Sequence, residues 1–126
     1  MVFSSIQVTG KGRGKKIGVP TINLQIPPKF GLDEGIYAVW VFIESKTFRG
    51  AMHFGPVPVF NELRRSLEIY LLNTDQSVIP DLSNKRVTVR TVEMIRKIMN
   101  FKTPEAMVER IQKDVIEINQ VLSKNP

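Results

Sequence analysis

The hydrophobic period of this chain changes once, near its end. From residue 2 to residue 95 apolar residues recur every second position or in short continuous runs, the patterns of strands; beyond Thr103 they recur at three and four, the pattern of a helix. About six strand segments followed by one helix, with no β–α–β alternation, exclude a doubly wound parallel sheet. What remains is an antiparallel sheet, and closing it into a barrel removes its exposed edges.

Residues 2–9 form a short, partly alternating segment. Ile22, Leu24 and Ile26 alternate with polar positions until Pro27 and Pro28 stop the run. Gly35 opens IYAVWVFIE, which is apolar on both faces and therefore central. A turn at Ser45 and Lys46 predicts a hairpin into residues 47–55. Pro56 and Pro58 then predict a loop as far as Arg65, followed by strands over 66–73 and 85–95. Thr103-Pro104-Glu105 is a helix start: a capping hydroxyl, proline at the first helical position and an acid in the first turn. Met107, Ile111, Val115, Ile118 and Leu122, widened by Val108 and Val121, give the helix of about five turns one apolar face.

A chain of 126 residues suits one domain with one core. The absence of cysteine rules out disulfides and thiolate metal sites. A lone histidine, His53, rules out histidine clusters and argues against a Ser-His-Asp triad. No apolar run reaches the roughly 18 residues of a membrane span, and the N-terminus lacks a secretory pattern, so a cytoplasmic protein is expected. The net charge of +6 favours anionic partners.

The densest basic cluster lies in GKGRGKKIGVPTIN, residues 10–23. Glycines let backbone N–H groups converge on an anion, and Arg13, Lys15 and Lys16 add charge beside them. The Thr21 hydroxyl is of the kind that ligates a hard cation such as Mg²⁺. The segment reads as a polyphosphate site with a metal, or as a solvated loop whose Pro-Thr-Ile-Asn end caps a strand. It is neither a Walker loop nor a dinucleotide fingerprint. Glu68 shares a strand face with Tyr70 and Leu72, opposite Leu67, Ile69 and Leu71. With both faces covered it would sit in a cavity and accept a hydroxyl proton; otherwise it faces water. Arg96 reads as a partner for a carboxylate or a ligand, or as a solvated arginine; His53 reads as packed or half-exposed.

The segment Gly14-Lys15-Lys16-Ile17-Gly18-Val19-Pro20-Thr21-Ile22-Asn23-Leu24 resembles the signature of the riboflavin kinase family, a glycine-rich loop ending in Pro-Thr-x-Asn. The resemblance continues in Gly35-Ile36-Tyr37-Ala38, in Phe54-Gly55-Pro56-Val57-Pro58, and in Ser66 to Leu72, similar to the strand carrying the family's catalytic glutamate. Asp81-Leu82 with Lys85, Ile95-Arg96, Asn100-Phe101 and Ile111-Gln112-Lys113-Asp114 follow in order, so nearly the whole chain is covered, residues 1–126 reading as one such domain. The resemblance implies a mainly β fold, a six-stranded antiparallel Greek-key barrel with one C-terminal α-helix. It implies transfer of the γ-phosphoryl group of ATP to the 5′-hydroxyl of riboflavin, giving FMN and ADP. Gly12, Gly14, Gly18 and Lys15 would hold the phosphates and Thr21 would ligate Mg²⁺, or Zn²⁺ or Mn²⁺. Asn23 would place the metal–phosphate group or the acceptor hydroxyl, Glu68 would accept its proton, and Arg96 would lie against the flavin. Partners would be the two small-molecule substrates, with no nucleic acid and no membrane, and the protein a monomer.

Three positions depart from the family pattern. Ile98 stands where relatives often carry an acid two residues after Arg96, Asn73 where many bacterial members carry aspartate, and His53 where many carry a smaller or amide residue. No nucleotidyltransferase half is present, so the chain is expected to make FMN and stop. The competing readings are a basic β-barrel that binds single-stranded nucleic acid and a catalytically inactive flavin-binding protein.

Overall fold

The structure, a computed structural model, describes residues 1–8 and 19–126. Among these residues six strands and one helix follow in order: β1 (Val2–Ile6), β2 (Thr21–Leu24), β3 (Gly35–Ile43), β4 (Lys46–Val57), β5 (Glu62–Leu72), β6 (Arg86–Arg96) and α1 (Pro104–Ser123). All pairings are antiparallel, in the spatial order β1-β6-β3-β4-β5-β2. β3, β4 and β5 are consecutive neighbours and β6 returns beside β3, which is a Greek key. The sheet curls until its two outer strands meet: Gln7 bridges Leu24, Val8 N–H donates to the Asn23 carbonyl at 2.8 Å, and Gln25 N–H donates to the Ile6 carbonyl at 2.9 Å.

Strand alternation divides the apolar residues into two cores. Ile22, Leu24, Val39, Val41, Met52, Leu67, Ile69 and Val89 fill the inside of the curled sheet. Phe30 closes one end edge-to-face between Phe3 and Phe54, at centroid distances of 4.9 and 5.0 Å. The outward residues Ile36, Ala38, Ala51, Tyr70 and Leu72 form a second core with Met107, Ile111, Ile118 and Leu122 of α1. The helix begins as predicted, with the Thr103 hydroxyl accepting from Ala106 N–H at 3.1 Å and Pro104 at its first position. Its far end is tied to the sheet. Trp40 Nε1–H donates to the Asn125 carbonyl at 2.7 Å, and Arg49, the cross-strand partner of Trp40, donates to the Asn119 carbonyl at 3.0 Å.

Three boundaries differ from the sequence reading. The hairpin turn is Glu44-Ser45, one residue earlier, with Glu44 at φ 54°. The loop expected between Pro56 and Arg65 is mostly strand: β4 continues through Pro56 to Val57 across a bulge, a single 3₁₀ turn follows at Pro58–Phe60, and β5 is already paired at Glu62. Proline at a bulge costs the ladder little, because its missing N–H falls where pairing is already broken. β1 ends at Ile6, since its partner β6 begins at Arg86.

Candidate functional site

One transverse row of the sheet gathers most of the residues singled out in the sequence. Asn23 of β2 pairs with Glu68 of β5, Glu68 with His53 of β4, His53 with Ile36 of β3, and Ile36 with Arg96 of β6. Directly paired residues share a face, with Cβ atoms about 4.5–5.5 Å apart. One step along β2, Thr21 pairs with Tyr70 on the same face. The cause is local: Ile22 and Leu24 are drawn into the inner core, so Thr21 and Asn23 must point outward. Leu67, Ile69 and Leu71 act in the same way on Glu68 and Tyr70.

The outward face at Glu68 is not open to water. Its carboxylate residue is only 2% exposed. On one side lies an apolar slot between sheet and helix, lined by Ile36, Ala51, Val57, Ile98, Phe101, Met107 and Ile111, with Glu68, His53, Arg96 and Asp114 as its charged or ionisable residues beside Tyr70. Its free volume of about 30 Å³ is room for little more than a water-sized group. On the other side lies a wider groove of about 580 Å³, lined by Val8, Asn23, Gln25, Asn61, Glu62, Arg64 and Arg65. Glu68 is a wall of both. A further hollow, bounded by Ile6, Val8, Leu82 and Lys85, continues from the groove and shares Val8 with it. Beside this hollow, Ser83 N–H donates to Asp81 at 3.0 Å and holds that carboxyl below its ordinary range, assisted by the Ser83 side chain and Lys85.

The Arg96 guanidinium is committed to the helix. It donates to Asp114 through Nε at 2.9 and 3.1 Å and through Nη2 at 2.8 Å, and lies 5.7 Å from the Phe101 ring centroid. Arg110 adds a third guanidinium hydrogen-bonding group to the same carboxylate, at 3.2 Å. Arg96 and Asp114 are 9% and 2% exposed in their side chains, so this is a buried ion pair. Sequence reading assigned Asp114 no role. The signal was available: positions 107, 111, 114, 118 and 122 fall on one helical stripe, and an acid among four apolar residues there requires a buried cation.

His53 Nε2 is 2.9 Å from the Gly55 carbonyl, so the proton of the neutral ring sits on Nε2. Gly55 itself, at φ 138°, is required. A Cβ there would fall 3.1 Å from Ile98 Cγ1 and 3.3 Å from Glu34 Cβ, in a backbone conformation that side chains resist. Ile98, the departure from the family acid, thus packs on the Gly55 turn and makes the slot wall apolar. Gly12, Gly14, Lys15 and Gly18 lie outside the described residues. The residues flanking that segment reach the same face: Val8 lines the groove, and Val19 packs against the outer core. Among the described residues no group of three or more His, Asp or Glu could hold a metal ion. The Thr21 hydroxyl and the Asn23 amide offer neutral oxygen donors on this face.

The family model of riboflavin kinases, Flavokinase, matches residues 1–122. Relatives include the "RNA-binding riboflavin kinase RibR" of Bacillus subtilis, 28% identical over 90% of this chain and 48% of that protein. They also include the bifunctional riboflavin kinase/FMN adenylyltransferase of Haemophilus influenzae, 29% identical over 86% of this chain and 34% of that protein. The riboflavin kinase of Mus musculus is 28% identical over 91% of this chain and 76% of its own length. The chain thus spans half or less of several of the curated relatives it matches. The same fold occurs in a crystal structure described as a macrolide-efflux protein from Streptococcus pneumoniae. That likeness has a TM-score of 0.75, at 24% identity, over 94% of this chain and 38% of the other.

Proposed function

The chain belongs to the riboflavin kinase family, and from that membership we propose that it transfers the γ-phosphoryl group of ATP to the 5′-hydroxyl of riboflavin, giving FMN and ADP. The observation that carries this reading is the position of Glu68, buried at the wall between an apolar slot and a wider groove and in register with Asn23.

A tricyclic isoalloxazine needs an apolar slot, and the slot beneath α1 supplies one. At about 30 Å³ it is too narrow for the ring, so flavin binding in this reading requires its walls to separate. Arg96 then serves the flavin side as part of the wall, oriented by Asp114. The groove receives the triphosphate, with the amides around Gly12, Gly14 and Gly18 and the Lys15 ammonium neutralising it. Thr21 and Asn23, with hard oxygen donors on one face, suit Mg²⁺, Mn²⁺ or Zn²⁺. Such a cation would draw charge from the phosphate oxygens. Glu68 takes the proton of the ribityl hydroxyl as that oxygen bonds to phosphorus and the bond to ADP breaks. Positioning and electrostatics carry most of the rate gain.

Small molecules are the partners in this reading, and nucleic acid is not. Stacking platforms for single strands need free aromatic faces, whereas the Trp40 indole is tied to Asn125 and the Arg49 guanidinium lies 5.4 Å from its ring centroid. No described helix is long and apolar enough to cross a membrane. We take residues 1–126 as one riboflavin-kinase-like domain, monomeric and cytoplasmic.

The test is incubation with riboflavin, ATP and Mg²⁺ and chromatographic detection of FMN. Absence of FMN refutes the activity and leaves the inactive flavin binder. Glu68→Gln is expected to lower turnover by ~10²–10⁴ while sparing nucleotide binding. Unchanged turnover removes Glu68 from the mechanism.

A further inference from the structure

The chain carries five methionines, and two of them, Met99 and Met107, line the slot beneath α1. Met107 is buried and packs in the outer core. Met99 lies on the connection between β6 and α1, between Ile98 and Phe101 of the same slot, and is 39% exposed. One thioether thus stands at the rim, open to the slot and to the dioxygen dissolved in solvent. The other three are placed differently. Met52 is buried in the inner core and Met94 packs against that core. Met1, the most exposed at 53%, sits beside Thr91, whose N–H donates to the Met1 carbonyl at 2.9 Å. On β6, Thr91 is five residues from Arg96 of the slot wall, about 16 Å along a strand.

An isoalloxazine excited by blue light passes its energy to dioxygen and produces the singlet form, which attacks thioethers. The sulfur lone pair forms an S–O bond with dioxygen. Water then adds at sulfur, the dioxygen unit leaves as hydrogen peroxide, and the oxygen from water stays as the sulfoxide. Sulfur loses two electrons and dioxygen gains them. Both protons of the peroxide come from water, and the flavin returns unchanged to its ground state. The product replaces a flexible apolar group by a polar one. On a wall shared with Ile36, Val57, Ile98 and Phe101, the added oxygen must give up water as the ring enters, which weakens binding.

We propose that Met99 is a modification site: flavin held in the slot directs light-driven oxidation to its sulfur, and the sulfoxide lowers the affinity of the slot for flavin. This rests on the reading that the ring enters the slot beneath α1. Exposure alone ranks Met1 ahead of Met99. A sensitiser in the slot reverses that order, because the oxidant is produced beside Met99. His53 and Tyr70 also line the slot and also react with singlet oxygen. Their products are not reduced by methionine sulfoxide reductase, so enzymatic reversal isolates the methionine.

The experiment illuminates the protein with blue light in air, in excess over riboflavin and with ADP and Mg²⁺, so that no phosphoryl group is transferred. Peptide mass spectrometry follows oxygen gain at each methionine. Met99 is expected to gain one oxygen severalfold faster than Met1. With rose bengal, a dye free in solution, Met1 is expected to lead. Riboflavin affinity, measured by equilibrium dialysis in the dark, is expected to fall severalfold after illumination and to return on treatment with the reductase. Met99→Leu, compared with its own dark sample, is expected to show no such reversible loss; Met99→Ile replaces it if it does not fold. Met1 ahead of Met99 with riboflavin, the same order with both sensitisers, or a loss that the reductase does not reverse overturns the proposal. The dark sample separates this from failure of the underlying reading. No riboflavin bound before illumination removes the slot as a flavin site and the proposal with it; normal binding with Met1 oxidised first removes only the role of Met99.

Discussion

Removing the carboxylate of Asp114 should be the most damaging single change outside the reacting groups. The perturbation is Asp114→Ala, which leaves Arg96 on the wall of the slot with its main counter-charge gone. The pair makes guanidinium–carboxylate contacts of 2.8 and 2.9 Å with side chains 9% and 2% exposed. At about 4 Å between charge centres and an effective dielectric of about 20, the attraction is about 4 kcal/mol. Burial has already cost both ions much of their hydration, so the intact pair contributes little net stability. Deleting one partner is another matter, because the surviving charge remains buried without compensation, at a cost of about 3–5 kcal/mol.

Arg96 can relieve part of this by turning toward the Lys97 carbonyl, to which Nη1 already donates at 3.2 Å. The lower end, about 3 kcal/mol, is therefore expected, equivalent to a drop in Tm of roughly 12 °C for a chain of this length. Urea unfolding followed by circular dichroism measures it. The double variant Arg96→Met/Asp114→Leu isolates the cause, since replacing the whole pair by apolar groups should recover most of the loss. A single variant within 1 kcal/mol of wild type, or a double variant no better than the single, would refute the account of a buried and mutually dependent pair.

Two further outcomes test other parts of the site. Thr21→Ala should raise the Mg²⁺ concentration needed for half-maximal FMN formation by ~10-fold or more, with KM for riboflavin little changed; an unaltered Mg²⁺ titration removes Thr21 as a ligand. Gly55→Ala should destabilise the fold by about 1–3 kcal/mol, because φ is 138° and Ile98 stands 3.1 Å from the new methyl; equal urea midpoints would show that the turn accommodates a side chain.

Much of the fold was legible because its determinants are local. Alternation at Ile22 and Leu24, the apolar run after Gly35 and the Thr103-Pro104 cap each state an element without reference to any other. The misplaced start of β5 has a physical cause. Residues 62–65 carry charged or exposed side chains and follow two prolines, so nothing in their periodicity marks them as paired; the pairing of Glu62 with Val57 across a bulge fixes them. The site was legible in part. Thr21 and Glu68 stand out by residue type and strand position, and with Asn23 by motif resemblance, while their approach is a consequence of β2–β5 register, which no single segment encodes. Asp114 is legible only from its place on the apolar stripe of α1, where an acid requires a buried cationic partner. The partner was Arg96, itself singled out for a ligand role.

The register also sets the row of residues on which the proposed reaction depends. Asn23, Glu68, His53, Ile36 and Arg96 come from five different strands and share one row. Strand side chains alternate with a period of two, so slipping β5 by one residue would turn Leu67 or Ile69 toward the slot and carry Glu68 into the inner core. The inner core resists that slip, because Leu67, Ile69 and Leu71 would lose their burial together, at about 1.5–3 kcal/mol each. The buried residues of the inner core thus hold the carboxylate at the boundary between slot and groove. In the proposed reaction that boundary is where the hydroxyl of one substrate meets the terminal phosphate of the other.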